Sequence, residues 1–456
     1  MLKRKIESVI HDWYFSSEKK ALCIFGARQI GKTTVVEQFA KENVQCFIKI
    51  DFIETPEAKV IFETAGDSKG IFRQIELFSR KQIIPGNTLI LLDEIQECPQ
   101  ARTAVKYLVS AGSCRIVETG SLLGVRLEQI VSLPLGFEKP VSMYPLDFEE
   151  FLWANSVPQK TIEALRNCFQ KKTPVPPFVH DEMKRIFLAY VVIGGMPEVV
   201  NAFIHTHSFE QCIPLQKSLW SAYSVDITKY AQRSEIPRIL DIFNSVPSQL
   251  NSSSLRFVLS KATGQYKPKF DQYQESLNWL TQAGIILPCF NTSEPVFPLK
   301  LNEKRRLFRL YALDTGLLCS NFSDIQLQII QEKPDLNWGA ILENAAAQAF
   351  CANDFELYYF NKKNMGELDF VIEEGSAVSV IEMKSGRDYK HHPALDAALK
   401  VKDWPFKSAY VFCQSNVEVE DEIYYLPWYM MFLLQKPKPT SQQILFNLEA
   451  LDFDNN

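Results

Sequence analysis

The chain contains no Cys-x-x-Cys pair; its ten cysteines are scattered along 456 residues. That spacing excludes a cysteine zinc cage and points to reduced thiols, as expected of a cytoplasmic protein. Histidine is scarce, with six residues and two close sets, His205 with His207 and His391 with His392. Neither set offers enough ligands for a metal. No apolar run approaches membrane-spanning length, so no membrane partner is expected. The opening "MLKRKIESVIHDW" is basic without an apolar core behind it, and reads as an amphipathic helix, not a signal peptide. Neither sign of charge dominates: 49 basic against 54 acidic residues leave a net −5. Any nucleic-acid surface must therefore be a local patch. Internal repeats and low-complexity tracts are absent as well.

What is present is a globular composition, 46% hydrophobic and 23% charged, in a chain too long for one ordinary core. The pattern predicts an α/β multidomain protein. Short apolar runs ("ALCIF", "CFIKIDF", "TLILLDE", "CRIVETG", "KPVSMYPL") alternate with helical stretches of crossover length, which predicts a parallel sheet over residues 1–150. Helical periodicity alone over 151–235 predicts a lid or linker. Over 236–320, three helix candidates precede two strand candidates, "IILPCF" and "RLFRLYAL", an order that suggests a winged helix. Over 321–456, a helix "GAILENAAAQAFCAN" and the strands "FELYYFN", "GELDFVIEE", "AVSVIEMKSG" and "SAYVFCQ" predict a separate α/β domain.

The segment Gly26, Ala27, Arg28, Gln29, Ile30, Gly31, Lys32, Thr33 fits G-x-x-x-x-G-K-[ST] between a strand and a helix, with Thr34 following. Such a P-loop cradles phosphates with backbone N–H groups. Lys32 would reach the β and γ phosphates, and the Thr33 hydroxyl would join Mg²⁺. Asp93, ending the apolar run "NTLILLD", would complete the Mg²⁺ set through water. Glu94 beside it is placed to act as general base on the attacking water. Thr119 and Ser121 lie near the end of the neighbouring strand, where either a γ-phosphate contact or an ordinary turn fits. Arg28 and Arg126 are candidates for phosphate contact, here or in a neighbouring subunit, although the sequence alone favours a plain surface arginine at each.

A second constellation lies in "GELDFVIEEGSAVSVIEMKSG". A hairpin turning at Glu374–Gly375 would set Asp369 opposite Val380, with Glu382 diagonal to it and Lys384 on the same face. Two carboxylates beside a lysine form the D…E-x-K pattern of restriction-endonuclease-like nucleases. Asp369 and Glu382, with Glu343 from the preceding helix, would then hold Mg²⁺ or Mn²⁺ and activate water for phosphodiester cleavage with Lys384. Acidic residues and lysine on a solvated strand face would look the same.

Taken together, "GARQIGKTT", "LILLDEIQECP", "ETGSLL", "YPLDFEEFL", "GGMPEVV", "RLYALDTGLL", "WGAILENA", "GELDFVI" and "IEMKSG" resemble the prokaryotic AAA-type ATPases of the archaeal-ATPase branch. In that group a C-terminal domain of unknown function is related to PD-(D/E)xK nucleases. The resemblance implies an ATPase core that binds ATP and Mg²⁺, a winged-helix segment and a nuclease-like end. It makes DNA a candidate partner through the basic stretch Lys300, Lys304, Arg305, Arg306 and Arg309, by salt-sensitive phosphate contact. The alternative is an ATP-dependent switch that binds a protein partner, with the nuclease-like end as a non-catalytic module. Either reading allows an oligomer.

Overall fold

The computed structural model describes residues 2–64, 67–121, 136–250, 256–322, 325–333 and 338–437. Arg126 lies outside them. Among the described residues no helix is long and apolar enough to cross a membrane.

The five strands expected in the N-terminal part all form: β1 Ala21–Phe25, β2 Cys46–Asp51, β3 Thr88–Asp93, β4 Arg115–Gly120 and β5 Glu138–Ser142. They pair in parallel in the order β2-β3-β4-β1-β5. Every residue of β3 is buried, because helices cover both faces of a parallel sheet and leave an apolar run no solvated side. The order places the ends of β1 and β3 either side of β4, so the loop after β1 and the acids ending β3 face one crevice.

Helices alone fill residues 148–230, from the helix Phe148–Ala154 to the helix Phe209–Tyr230. The first is set by a capping box. Asp147 accepts the Glu150 N–H and Glu150 reaches back to the Asp147 N–H, which satisfies two orphan donors at once.

The helices Ile236–Leu250, Leu259–Thr263 and Gln274–Gln282 precede β6 Ile286–Thr292 and β7 Glu303–Ala312, an antiparallel pair. The remaining strands are β8 Tyr358–Lys362, β9 Gly366–Glu373, β10 Val378–Met383, β11 Phe406–Cys413, β12 Glu418–Glu420 and β13 Ile423–Pro427. All eight form one mixed sheet, β12-β13-β11-β10-β9-β8-β6-β7. The hairpin expected as a wing is thus the edge of the C-terminal sheet, joined by parallel pairing of Phe290–Thr292 with Tyr358–Phe360. That sheet takes strands from both sides of the boundary expected at residue 320. Its helix Gly339–Ala352 is buried from Ile341 to Phe350, and its buried polar side chains Glu343, Asn344 and Gln348 all have hydrogen-bond partners.

One continuous core joins these parts. It runs from Leu22, Ile24, Leu89 and Leu91 on one face of the first sheet, through the helices, to Leu310, Phe370, Ile372 and Ile381 on one face of the second. Smaller cores cover the far face of each sheet.

Candidate functional site

The P-loop is a strained turn held from behind. Gly26 sits at φ 152° and Gly31 at φ 92°, and Gln29 between them is left-handed at φ 64°. A Cβ at Gly26 would overlap the Met143 carbonyl oxygen, so glycine there is needed for close packing on the strand end as much as for phosphate approach. Arg4 clamps the loop's back: it donates to Ile30 O at 2.8 Å and Tyr144 O at 2.6 Å, and pairs with Glu150 at 3.1 Å. The helix Lys32–Asn43 starts directly at Lys32, which aims its free N–H groups at the loop's concave side.

Lys32 is 6% exposed and donates to Gly26 O at 3.1 Å and Ala27 O at 2.7 Å. Burial pulls its pKa down to about 8, against the attraction of Glu94 and Asp93. Thr33 Oγ1 lies 3.0 and 2.8 Å from the two carboxylate oxygens of Asp93. Thr119 Oγ1 also donates to Asp93, and the Glu94 N–H does so at 3.1 Å. Burial raises the Asp93 pKa, opposed by the bonds from Thr119 and Thr33. A hydroxyl and a carboxylate converging on one point are the hard oxygen donors that suit magnesium, so these residues fit the expected ion. Thr34, one place further along the helix, has no contact that would add to this set.

Glu94 turns off the strand end in the left-handed region, at φ 51°. A non-glycine residue there stores strain, which is common where a side chain must be aimed. Its carboxylate accepts from Gln96 Nε2 and lies 3.4 Å from Ser121 Oγ. Gln96 was not anticipated; its only signal in the sequence was its place two residues after the Asp-Glu pair.

Arg28 is no free surface arginine. Its guanidinium meets Asp226 Oδ1 and Tyr230 Oη, each at 2.5 Å, and Ser121 Oγ at 3.3 Å. The ring of Tyr230 lies 4.5 Å away, and Tyr223 Oη donates to the Arg28 carbonyl at 3.0 Å. Asp226, Tyr223 and Tyr230 are nearly 200 residues from the loop, and no local pattern pointed to them. Hydrogen bonds therefore run from Asp226 through Arg28 and Ser121 to Glu94. Gly284, before β6, also approaches this loop: a Cβ there would stand 3.3 Å from Ala27 N.

At the C-terminal sheet the hairpin register differs from expectation by two residues. Val380 pairs with Val371 and Ile381 with Phe370, because the turn spans Glu374–Ala377, closed by the Glu374 N–H to Ala377 O at 2.9 Å. The shift is even, which by itself would keep Asp369, Glu382 and Lys384 on one face, but the regular pairing of β9 with β10 ends at Phe370 and Ile381, and the register of β9 against β8 shifts between Leu368 and Val371, at Asp369. Lys384 Nζ lies 2.9 Å from Glu382 Oε1, and Asp369 Oδ2 accepts the Met383 N–H at 2.8 Å. Burial, followed by the neighbouring Asp369, raises the pKa of both Glu343 and Glu382.

The expected metal set is not assembled. Among the described residues no group of three His, Cys, Asp or Glu side chains could hold a metal ion. Among these acids lies Arg309, a member of the basic stretch that the sequence offers to DNA. It is fully buried and pairs with Glu343 at 3.2 Å and with Glu367. The rest of that stretch is exposed, but Lys300 and Arg305 are both held by Glu303, each at 2.9 Å, and Arg306 by Asp271 at 3.2 Å.

Residues 18–152 match the family model described as an AAA domain. The N-terminal domain is similar to AAA-type P-loop ATPases. Residues 184–326 match a domain of unknown function, DUF8612, and residues 338–431 match another, DUF4143. Comparison with curated proteins finds no match. Among solved structures, the ORC1 protein of Aeropyrum pernix in complex with DNA is 14% identical, with 73% of this chain and 91% of that one covered at a TM-score of 0.23. Cdc6p from Pyrobaculum aerophilum is 10% identical, with 72% and 92% covered at 0.23. PCH-2 of C. elegans is 12% identical, with 61% and 63% covered at 0.22. At these scores the likenesses carry no argument about this chain.

Proposed function

We propose that the chain is a magnesium-dependent ATP hydrolase that works as a switch, with the C-terminal sheet as a non-catalytic module. One observation carries this reading: Thr33, Thr119 and Asp93 converge where β3 and β4 end, beside the buried Lys32. ATP as the nucleotide is supported by the likeness of residues 18–152 to AAA domains.

Lys32 would exchange its two carbonyl partners for the β and γ phosphates, a favourable trade for a buried ammonium. Thr33 and Asp93 would hold magnesium, which when bound offsets charge on the transferring phosphoryl group. Glu94 would take the proton of the attacking water, with Gln96 and Ser121 fixing the direction of its carboxylate. Arg28 links that side chain to the helix Phe209–Tyr230, so a change at the phosphates has a path into the helical segment.

Two observations favour a protein partner over DNA cleavage. Arg309 occupies the carboxylate cluster of the C-terminal sheet. Three of the four exposed basic residues of the stretch 300–306 are already paired with two acids, Glu303 and Asp271, which halves the positive charge that this edge offers a phosphate backbone.

The test is phosphate release from ATP with magnesium. Lys32→Ala should abolish binding and turnover, while Glu94→Gln should still bind ATP by calorimetry and turn over about 100-fold or more slowly. Absence of ATP binding by the unaltered chain would end this reading.

A further inference from the structure

The carboxylate cluster of the C-terminal sheet has a cation of its own. Arg309 reaches it from β7, passing over the ring of Tyr359 at 4.4 Å. Its Nη1 lies 3.2 Å from Glu343 Oε2, 3.4 Å from the Asp369 carbonyl oxygen and 3.4 Å from Tyr311 Oη. Its Nη2 pairs with Glu367. Tyr311 Oη donates to the same Glu343 oxygen at 3.0 Å. Asp369 has its own donor in the Met383 N–H, and Glu382 has Lys384. One oxygen of the cluster, Glu382 Oε2, is buried with no partner. The acids are thus gathered around a guanidinium, which fills the space between Glu343 and the β9 residues, and as they stand no three of them could hold a metal ion.

We propose that Arg309 is the permanent cation of this cluster, so that the chain takes no Mg²⁺ or Mn²⁺ here, and that removing the guanidinium opens a divalent-cation site on Glu343, Asp369 and Glu382. Arginine suits the role. It stays charged at every working pH, and its planar fork serves two carboxylates at once. A small hydrated ion cannot push it out, because the displaced charge would be left buried without a partner. With the guanidinium gone, several carboxylate oxygens in one pocket become mutually repelling unless a hard cation joins them. The unpartnered Glu382 oxygen is the position such an ion would satisfy. This deepens the non-catalytic reading of the C-terminal sheet and is independent of ATP hydrolysis, which can stand or fall separately.

The experiment is Mn²⁺ titration of the nucleotide-free full chain, followed by calorimetry and by electron paramagnetic resonance of free Mn²⁺. The unaltered chain and Asp369→Asn should titrate alike, which subtracts any ion taken at the P-loop. Arg309→Met should gain one Mn²⁺ per chain, and Arg309→Met with Asp369→Asn should lose it again. An Mn²⁺ site in the unaltered chain that Asp369→Asn removes would overturn the proposal. So would a folded Arg309→Met chain, judged by circular dichroism, that gains no Mn²⁺. Should that variant not fold, the pair of the unaltered chain and Asp369→Asn still decides: identical titrations support the proposal, and differing ones refute it.

Discussion

Asp314 offers the sharpest test of how the parts are held together. It is fully buried and caps the helix Thr315–Cys319, accepting the Leu317 N–H at 3.0 Å. It also accepts the Gly195 N–H at 2.6 Å from the far side of the helical segment, and Gln348 Nε2 at 3.4 Å. Gly194 and Gly316 are glycines because a Cβ would overlap Asp314 and the Ile193 carbonyl respectively. Asp314→Ala strands two buried backbone N–H groups, each costing about 1–3 kcal/mol. Removal of a desolvated carboxyl returns part of this, so the expected net loss is about 3 kcal/mol. Urea denaturation at pH 7, read as a shift in midpoint at constant slope, measures it. A loss well under about 1 kcal/mol would refute the claim that this side chain ties the segments together. Burial raises the Asp314 pKa from 3.8 to about 6. The folded state therefore keeps a proton that the unfolded chain has released, and stability falls as pH rises between those two values. The loss is about 3 kcal/mol from the linkage relation. Asp314→Asn does not titrate, so the difference between it and the unaltered chain should change by about 2.4 kcal/mol of that amount between pH 4 and pH 7. A flat difference would show that the site holds its charge without penalty.

Further outcomes follow from the P-loop and its surroundings. ATP affinity should weaken as pH rises through about 8, where the buried Lys32 loses its proton, by up to about tenfold per unit; calorimetry at pH 7 and pH 9 reads this. Gly26→Ala should cost about 2–3 kcal/mol through its overlap with Met143 and its backbone angle, seen as a lower melting temperature. Asp226→Asn removes a partly exposed ion pair and should change stability by no more than about 1 kcal/mol. It should nevertheless alter the rate of phosphate release, and an unchanged rate would take the helix Phe209–Tyr230 out of the nucleotide response.

The phosphate loop, all five parallel strands and the helical middle could be read from the residues alone. Each depends on local rules: glycine where a loop must turn left-handed, an uninterrupted apolar run where a strand is covered on both faces, a 3.6-residue period where one helix face is buried. The alternation along β10 taken singly was legible for the same reason, with Ile381 and Met383 on one core face and Val380 on the other. The register was not, because a two-residue shift changes neither composition nor periodicity. Only the tertiary structure decided the rest. Arg309 lies beside exposed basic neighbours and looks like one of them, yet β7 turns it inward onto acids from a helix and strand far along the chain. Arg28 and Asp226, or Gly195 and Asp314, likewise meet only after the helices pack. Such contacts join residues from 34 to 198 positions apart, and no local periodicity encodes which distant group a buried charge will meet.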